Sequence, residues 1–138
     1  IFLIARRLIS QFGVWNLLFV SIALTGLRWY VMAAFADTFM VIVLSQLIHA
    51  LSFGLTHAVS VHFIHQFLPK AYQSRGQAVY ISIAFGLGGA FGNYMAGQQW
   101  QQGTNAYETF VTAAVFAAIG ALSLLLCSRK EMESAKAA

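Results

Sequence analysis

Charge is what this chain has least of. Eight Lys and Arg and four Asp and Glu make up 9% of 138 residues, against the roughly 25% carried by soluble domains. Too few polar side chains remain to cover the outside of a soluble domain of this length. Cysteine is almost absent as well: the lone Cys127 excludes an intrachain disulfide and any cysteine-based metal cluster within this chain, and it reads as a small packing residue. Proline occurs once, as Pro69. Missing too is a charged start followed by a short apolar core and a small-residue cleavage site. The chain opens on apolar Ile1 and is expected to be a piece of a longer one.

What is present is apolar. Hydrophobic residues make up 59% of the sequence and the mean hydropathy is +0.72, so lipid is the expected solvent for much of the surface. The net charge of +4 does not indicate nucleic acid, because the basic residues sit at segment ends and form no patch; membrane topology accounts for them.

A helix needs about 20 mostly apolar residues to cross the hydrocarbon core. Four windows of that kind occur: 14–35, broken by Arg28; 39–68, with no Asp, Glu, Lys or Arg; 77–100; and 108–128. Residues 1–13 read as the end of a preceding helix and a turn, and 129–138 as a polar tail. Arg6, Arg7, Lys70, Arg75, Arg129, Lys130 and Lys136 all fall on one side of these spans, and Asp37 and Glu108 on the other. The positive-inside rule makes the basic side, and the C-terminus, cytoplasmic. Pro69 fits the turn on that side, since it cannot continue a helix without breaking it. Trp15, Trp29, Tyr30, Trp100 and Tyr107 lie near span ends, where amphipathic rings favour the interface.

The third span carries Ala84, Gly88, Gly92 and Ala96 at four-residue spacing, with Gly89, Asn93 and Gly97 in a second row. Small residues so spaced let helix backbones approach closely, so this face is expected to be a packing seam. The fourth span repeats Ala113, Ala117 and Ala121 with almost nothing polar, and is expected to be peripheral.

In the second span, Ser45, His49, Ser52, Thr56 and Ser60 fall on one stripe at about 100° per residue, flanked by Gln46 and His57. A polar stripe in such a span must face protein or water. His49 lies about 15 Å below the outer end at 1.5 Å per residue, near the midplane, where an ionisable residue points to function. His62 and His65 lie elsewhere, toward the cytoplasmic end. Arg28 is the one full charge inside a span and shares a face with Ser21 and Thr25. Either it snorkels outward to pair with Asp37, or it faces the interior, where it binds an anionic group or sets the proton affinity of His49.

Two other classes fit the sequence less well. A membrane redox or metal enzyme is disfavoured because all four histidines share one helix and no carboxylate in that span completes a site; no enzyme activity, metal or cofactor is expected. A self-contained small four-helix exporter or scaffold lacks the acidic residue within a span that a minimal proton-driven exporter needs.

Several patterns resemble the C-terminal part of the major facilitator superfamily, in particular its phenylpropionate-permease-like group, related to lactose-permease-type proton symporters. Ser10-Gln11-Phe12-Gly13 is similar to the turn between that family's helices eight and nine, and Leu27-Arg28-Trp29 to a signature in helix nine. Gln46-x-x-His49-x-x-x-Phe53-x-x-x-His57 resembles helix ten, and Gln77-Ala78-Val79-Tyr80 the start of helix eleven. The resemblance implies an all-α integral membrane fold in which four transmembrane helices, nine to twelve, form part of a six-helix half. Eight further N-terminal helices of the same chain would be its partners, beside the bilayer, a small-molecule substrate and protons. It implies proton-coupled symport by alternating access in the plasma membrane, with a bacterial inner membrane expected. The implied substrate is a small aromatic or other organic acid, with a sugar or nucleoside as the alternative. The expected pathway residues are Arg28, Gln46, His49, Phe53, His57 and Tyr80. Two departures stand out: Ser52 replaces the carboxylate three positions after the helix-ten histidine, and Gln11 replaces a basic residue in the turn.

Overall fold

The computed structural model describes residues 2–134. Ile1 and the end of the expected tail, 135–138, lie outside the described residues. Among the described residues there is no strand, in keeping with an all-helical reading of the apolar windows.

Helix α1 covers Phe2–Phe12 and α2 Val14–Phe35, separated by Gly13 alone. Gly13 adopts φ +80°, a conformation that costs glycine little and other residues more. Helix α3 runs over Phe39–Phe67. It ends where Pro69, with no N–H to donate, leads into a short 3₁₀ turn at Lys70–Tyr72. The next helical stretch is broken into α4 (Gln73–Ile81), a π turn (Ser82–Leu87) and α5 (Gly88–Trp100). Gln101 and Gln102 take left-handed backbone angles, φ 42° and 57°, and stop α5. Helix α6 covers Ala106–Ser123, and α7 is the short Arg129–Ser134.

Among the described residues three helices are long and apolar enough to cross a membrane: Val14–Phe35, Phe39–Phe67 and Ala106–Leu126. The window 77–100 is helical but is not among them. Glycine and glutamine dilute its hydropathy, and the π turn divides it.

Helix α2 is the hub. It packs on α3 along one side and on α6 along another, antiparallel to both. At the end carrying Arg6, Arg7 and Arg129, the apolar core gathers Ile9, Val14, Leu17, Leu18 and Val59, with Leu124 and Met132 against it. The same end is tied by α7. Glu133 accepts a hydrogen bond from the Trp15 backbone N–H at 3.1 Å, placing a carboxylate at the N-terminus of α2 where the helix dipole favours negative charge. Trp15 Nε1 donates to the Leu124 carbonyl at 3.1 Å, and the Arg129 guanidinium lies 5.5 Å from the Trp15 ring.

The small-residue seam differs from expectation. A Cβ placed on Gly86, Gly89, Gly92 or Gly97 would meet nothing within 4 Å, so the glycine face of the third helical stretch has no close neighbour among the described residues. Close approach occurs between α2 and α6 instead. A Cβ on Gly26 would lie 3.4 Å from Ala117 Cβ and 3.5 Å from the Ala114 carbonyl, and one on Gly120 would lie 3.7 Å from Ile22. The alanines of α6 are the surface on which α2 rests, with Thr109 and Ala121 buried, while Val115, Phe116, Ile119 and Leu122 on its other side stay exposed. A methyl at either position would still make ordinary contact, so what this spacing excludes at Gly26 is bulk beyond a methyl.

Gly26→Leu should accordingly destabilise the bundle by about 1–3 kcal/mol through overpacking. Gly92→Leu should leave thermal unfolding in detergent nearly unchanged, and equal loss in both variants would contradict the assigned seam.

Candidate functional site

The polar stripe of α3 divides into two. Ser45 and Ser52 are buried, Ser52 to 1% exposure, and each returns its hydroxyl to its own helix, Ser45 to the Ile42 carbonyl and Ser52 to that of His49. Thr56 reaches across to α2. Its hydroxyl lies 2.8 Å from both Ser21 Oγ and the Ser52 carbonyl, which share its one hydrogen, while Ser21, fully buried, passes its own hydrogen to the Leu18 carbonyl at 3.1 Å. Such a bond satisfies groups for which lipid offers no partner. This edge of the stripe is the α2–α3 contact.

With that edge fixed, the adjoining edge of α3 turns toward open space. His49, Phe53 and His57 recur every four residues and line a cavity of about 520 Å³ bounded by α2, α3, the α4–π segment and α6, a volume within the range of small-molecule sites. Thr25, Thr56, Ser60 and Tyr80 add polar groups to the wall, and Ala84, Ala117 and Gly120 leave room.

Rings dominate this wall. His49 and Phe53 lie 5.5 Å apart between centroids, and Phe53 and His57 are nearly parallel at 6.5 Å. Phe85 meets Phe53 edge-on at 5.6 Å and lies 5.9 Å from His57. The Tyr80 hydroxyl is 3.5 Å from His57 Nδ1, a long contact in which the phenol donates when that nitrogen carries no hydrogen.

Arg28 is buried, with 4% of its surface exposed. Among the described residues neither it nor Asp37 forms an ion pair, so the outward-snorkelling arrangement does not occur. The guanidinium folds over Trp29 instead, 3.9 Å from the ring centroid, a cation–π contact that gains strength when shielded from water. Trp29 stacks on Phe110 at 5.6 Å, and Phe110 meets Trp100 at 5.9 Å. These rings link α2, α6 and α5 at the end opposite Gly13. Arg28 lies three residues beyond Thr25, which is on the cavity wall.

Two buried nitrogens have no hydrogen-bond partner among the described residues, His49 Nδ1 on the cavity wall and Arg28 Nε beyond it. Buried polar groups are nearly always paired, so a buried guanidinium and an imidazole both left short suit a polar guest.

Four of the six expected pathway residues, His49, Phe53, His57 and Tyr80, thus share one wall. Arg28 is buried beyond it, and Gln46 is exposed and does not line the cavity. Phe85 was not expected there, and Thr25 and Thr56, placed on polar faces by the sequence, were not among the expected pathway residues. Thr25 could have been found from its place on the Arg28 face; Phe85 could not, because its position depends on the π turn. No group of three or more His, Cys, Asp or Glu able to hold a metal occurs among the described residues.

The Thr56–Ser21 contact sets the orientation of this wall, so its coupling energy is measurable. A double-mutant cycle with Thr56→Val and Ser21→Ala should give about 0.5–1.5 kcal/mol, the range of interhelical hydrogen bonds in membranes. Zero coupling would show that packing alone orients α3.

The MFS_1 like family matches residues 1–112 of the chain. Over 130 residues, 92% of the chain, the sequence is 27% identical to a maltose permease of Geobacillus stearothermophilus. The chain spans about a third of that protein, 32% of its length. No solved structure matches it.

Proposed function

From the premise that this membrane-embedded chain belongs to the MFS_1 like family, we propose that it forms one wall of the pathway of a proton-coupled secondary transporter working by alternating access. The observation that carries this reading is the cavity that gathers His49, His57 and Tyr80 between apolar helices, since ionisable groups at membrane depth serve substrate or proton paths. Helices supplied by the rest of such a transporter, eight in the major facilitator arrangement, would complete the site. The basic end of the bundle is cytoplasmic in this reading, by the positive-inside rule, and the membrane is the plasma membrane.

The substrate we favour is a small organic acid bearing a ring. Arg28 is a permanent cation, buried and without a carboxylate partner among the described residues. A guanidinium suits a carboxylate by forming two parallel hydrogen bonds to it. The rings of Phe53, Phe85 and Tyr80 offer faces and edges to an aromatic or other flat guest. Proton carriage falls to His49, whose Nδ1 is free of a hydrogen bond and whose neighbour Ser52 cannot ionise. A sugar is the second reading, favoured by the likeness to a protein named for maltose; the hydroxyls of Thr25, Ser60 and Tyr80 would then do more of the binding.

In the full-length transporter, His49→Ala should reduce proton-driven uptake at least tenfold and flatten its pH dependence, with the protein still present in the membrane. Uptake and pH dependence both unchanged would remove His49 from the pathway. Competition separates the substrates: 3-phenylpropionate should inhibit uptake and maltose should not, the reverse establishing the sugar reading.

A further inference from the structure

We propose that Phe85 is a specificity-determining residue: held in the cavity wall by the π turn Ser82–Leu87, it limits the size of the solute that fits between α3 and α6. This rests on the cavity being the substrate pathway.

The geometry is specific to the π turn. Tyr80 and Phe85 are five residues apart, which on an unbroken α-helix, at about 100° per residue, sets them about 140° apart. Phe85 would then leave the face that carries Tyr80. A π turn closes its hydrogen bonds from i to i+5 and so brings residues five apart to nearly the same face. The Gly88 N–H bonds to the Ile83 carbonyl, five residues back, which is such a bond. Accordingly Tyr80 and Phe85 both line the cavity, with ring centroids 5.8 Å apart and planes at 77°.

Once there, Phe85 meets three rings. It touches Phe53 and His57 on α3 and Tyr80 on its own helical stretch. It is not buried to fill a core, being 41% exposed. Across the cavity stand Ala117 and Gly120 of α6, among the smallest side chains available. Phe116 and Leu124 line the cavity beside them, so it is opposite the small Ala117–Gly120 stretch that the bulk of the Phe85 ring decides how wide a guest can be. π turns inside α-helices are costly irregularities that concentrate at functional sites, and the aiming of Phe85 gives this one a purpose.

The test uses the full-length transporter with its native cysteines, Cys127 included, replaced by serine. A single cysteine at Ser60, on the cavity wall, is alkylated in membrane vesicles with N-ethylmaleimide and with the much larger fluorescein-5-maleimide. Phe85→Ala should raise the rate with the large reagent at least tenfold relative to the small one. Phe85→Leu, which keeps most of the apolar bulk, should raise it by about threefold. An unchanged ratio in both variants overturns the proposal. Placement is checked separately with a Phe85→Cys and His57→Cys pair, which a short bifunctional thiol reagent should cross-link within the membrane. No cross-link in correctly inserted protein shows Phe85 facing elsewhere and also overturns it. Neither readout requires transport, so failure here is distinguishable from failure of the pathway reading, which shows as uptake indifferent to His49→Ala.

Discussion

One hydrogen bond between two hydroxyls, Thr56 to Ser21 at 2.8 Å, constrains how α3 can turn against α2. A polar stripe on a helix in lipid has to find partners in protein or water. Here one edge finds them in α2 and in its own backbone, with Ser45 and Ser52 buried. A rotation of α3 by a quarter turn would break the Thr56–Ser21 contact, leaving each hydroxyl only its bond to its own helix, and would at the same time carry His49, Phe53 and His57 away from the cavity. The packing of α3 on α2 and the lining of the cavity are therefore set by the same rotational choice.

Helix α2 can serve both neighbours because its other side is small where it meets α6. Gly26 against Ala114 and Ala117 brings the two backbones together, which in lipid substitutes close van der Waals contact for the hydrophobic drive that lipid removes. The ends of the same pair are finished differently. Near Gly13, Glu133 and Leu124 accept hydrogen bonds from Trp15; at the far end Trp29, Phe110 and Trp100 form an aromatic chain beneath Arg28. Between these fixed ends lies the cavity, where α3 and the α4–π segment meet largely through rings.

Much of this was legible in the sequence. Charge-free windows give the long helices because a helix in lipid must be apolar for its whole span, and the four-residue recurrence of His49, Phe53 and His57 gives a shared face. What could not be read was partner choice. Small residues announce close approach without saying to what, so the glycines of α5 looked like the seam while Gly26 and the alanines of α6 formed it. The π turn was hidden for a different reason: it changes the angular period locally, and any wheel drawn at one fixed angle misplaces Phe85. Arg28 was legible as an anomaly, but its turn onto Trp29 was not, because neighbouring residues on a helix do not ordinarily face one another.

The most direct test of the central claim, that solute occupies the cavity between α2, α3, the π turn and α6, is substrate protection at a neutral wall position. A single cysteine at Ala84, on the π-turn wall, is alkylated with N-ethylmaleimide in vesicles containing the full-length transporter, with and without a saturating concentration of a transported solute. Alkylation slowed at least fivefold by that solute, and not by a non-transported analogue, is the predicted result. Equal rates in its presence and absence, in protein that still transports, would place the pathway elsewhere in the bundle.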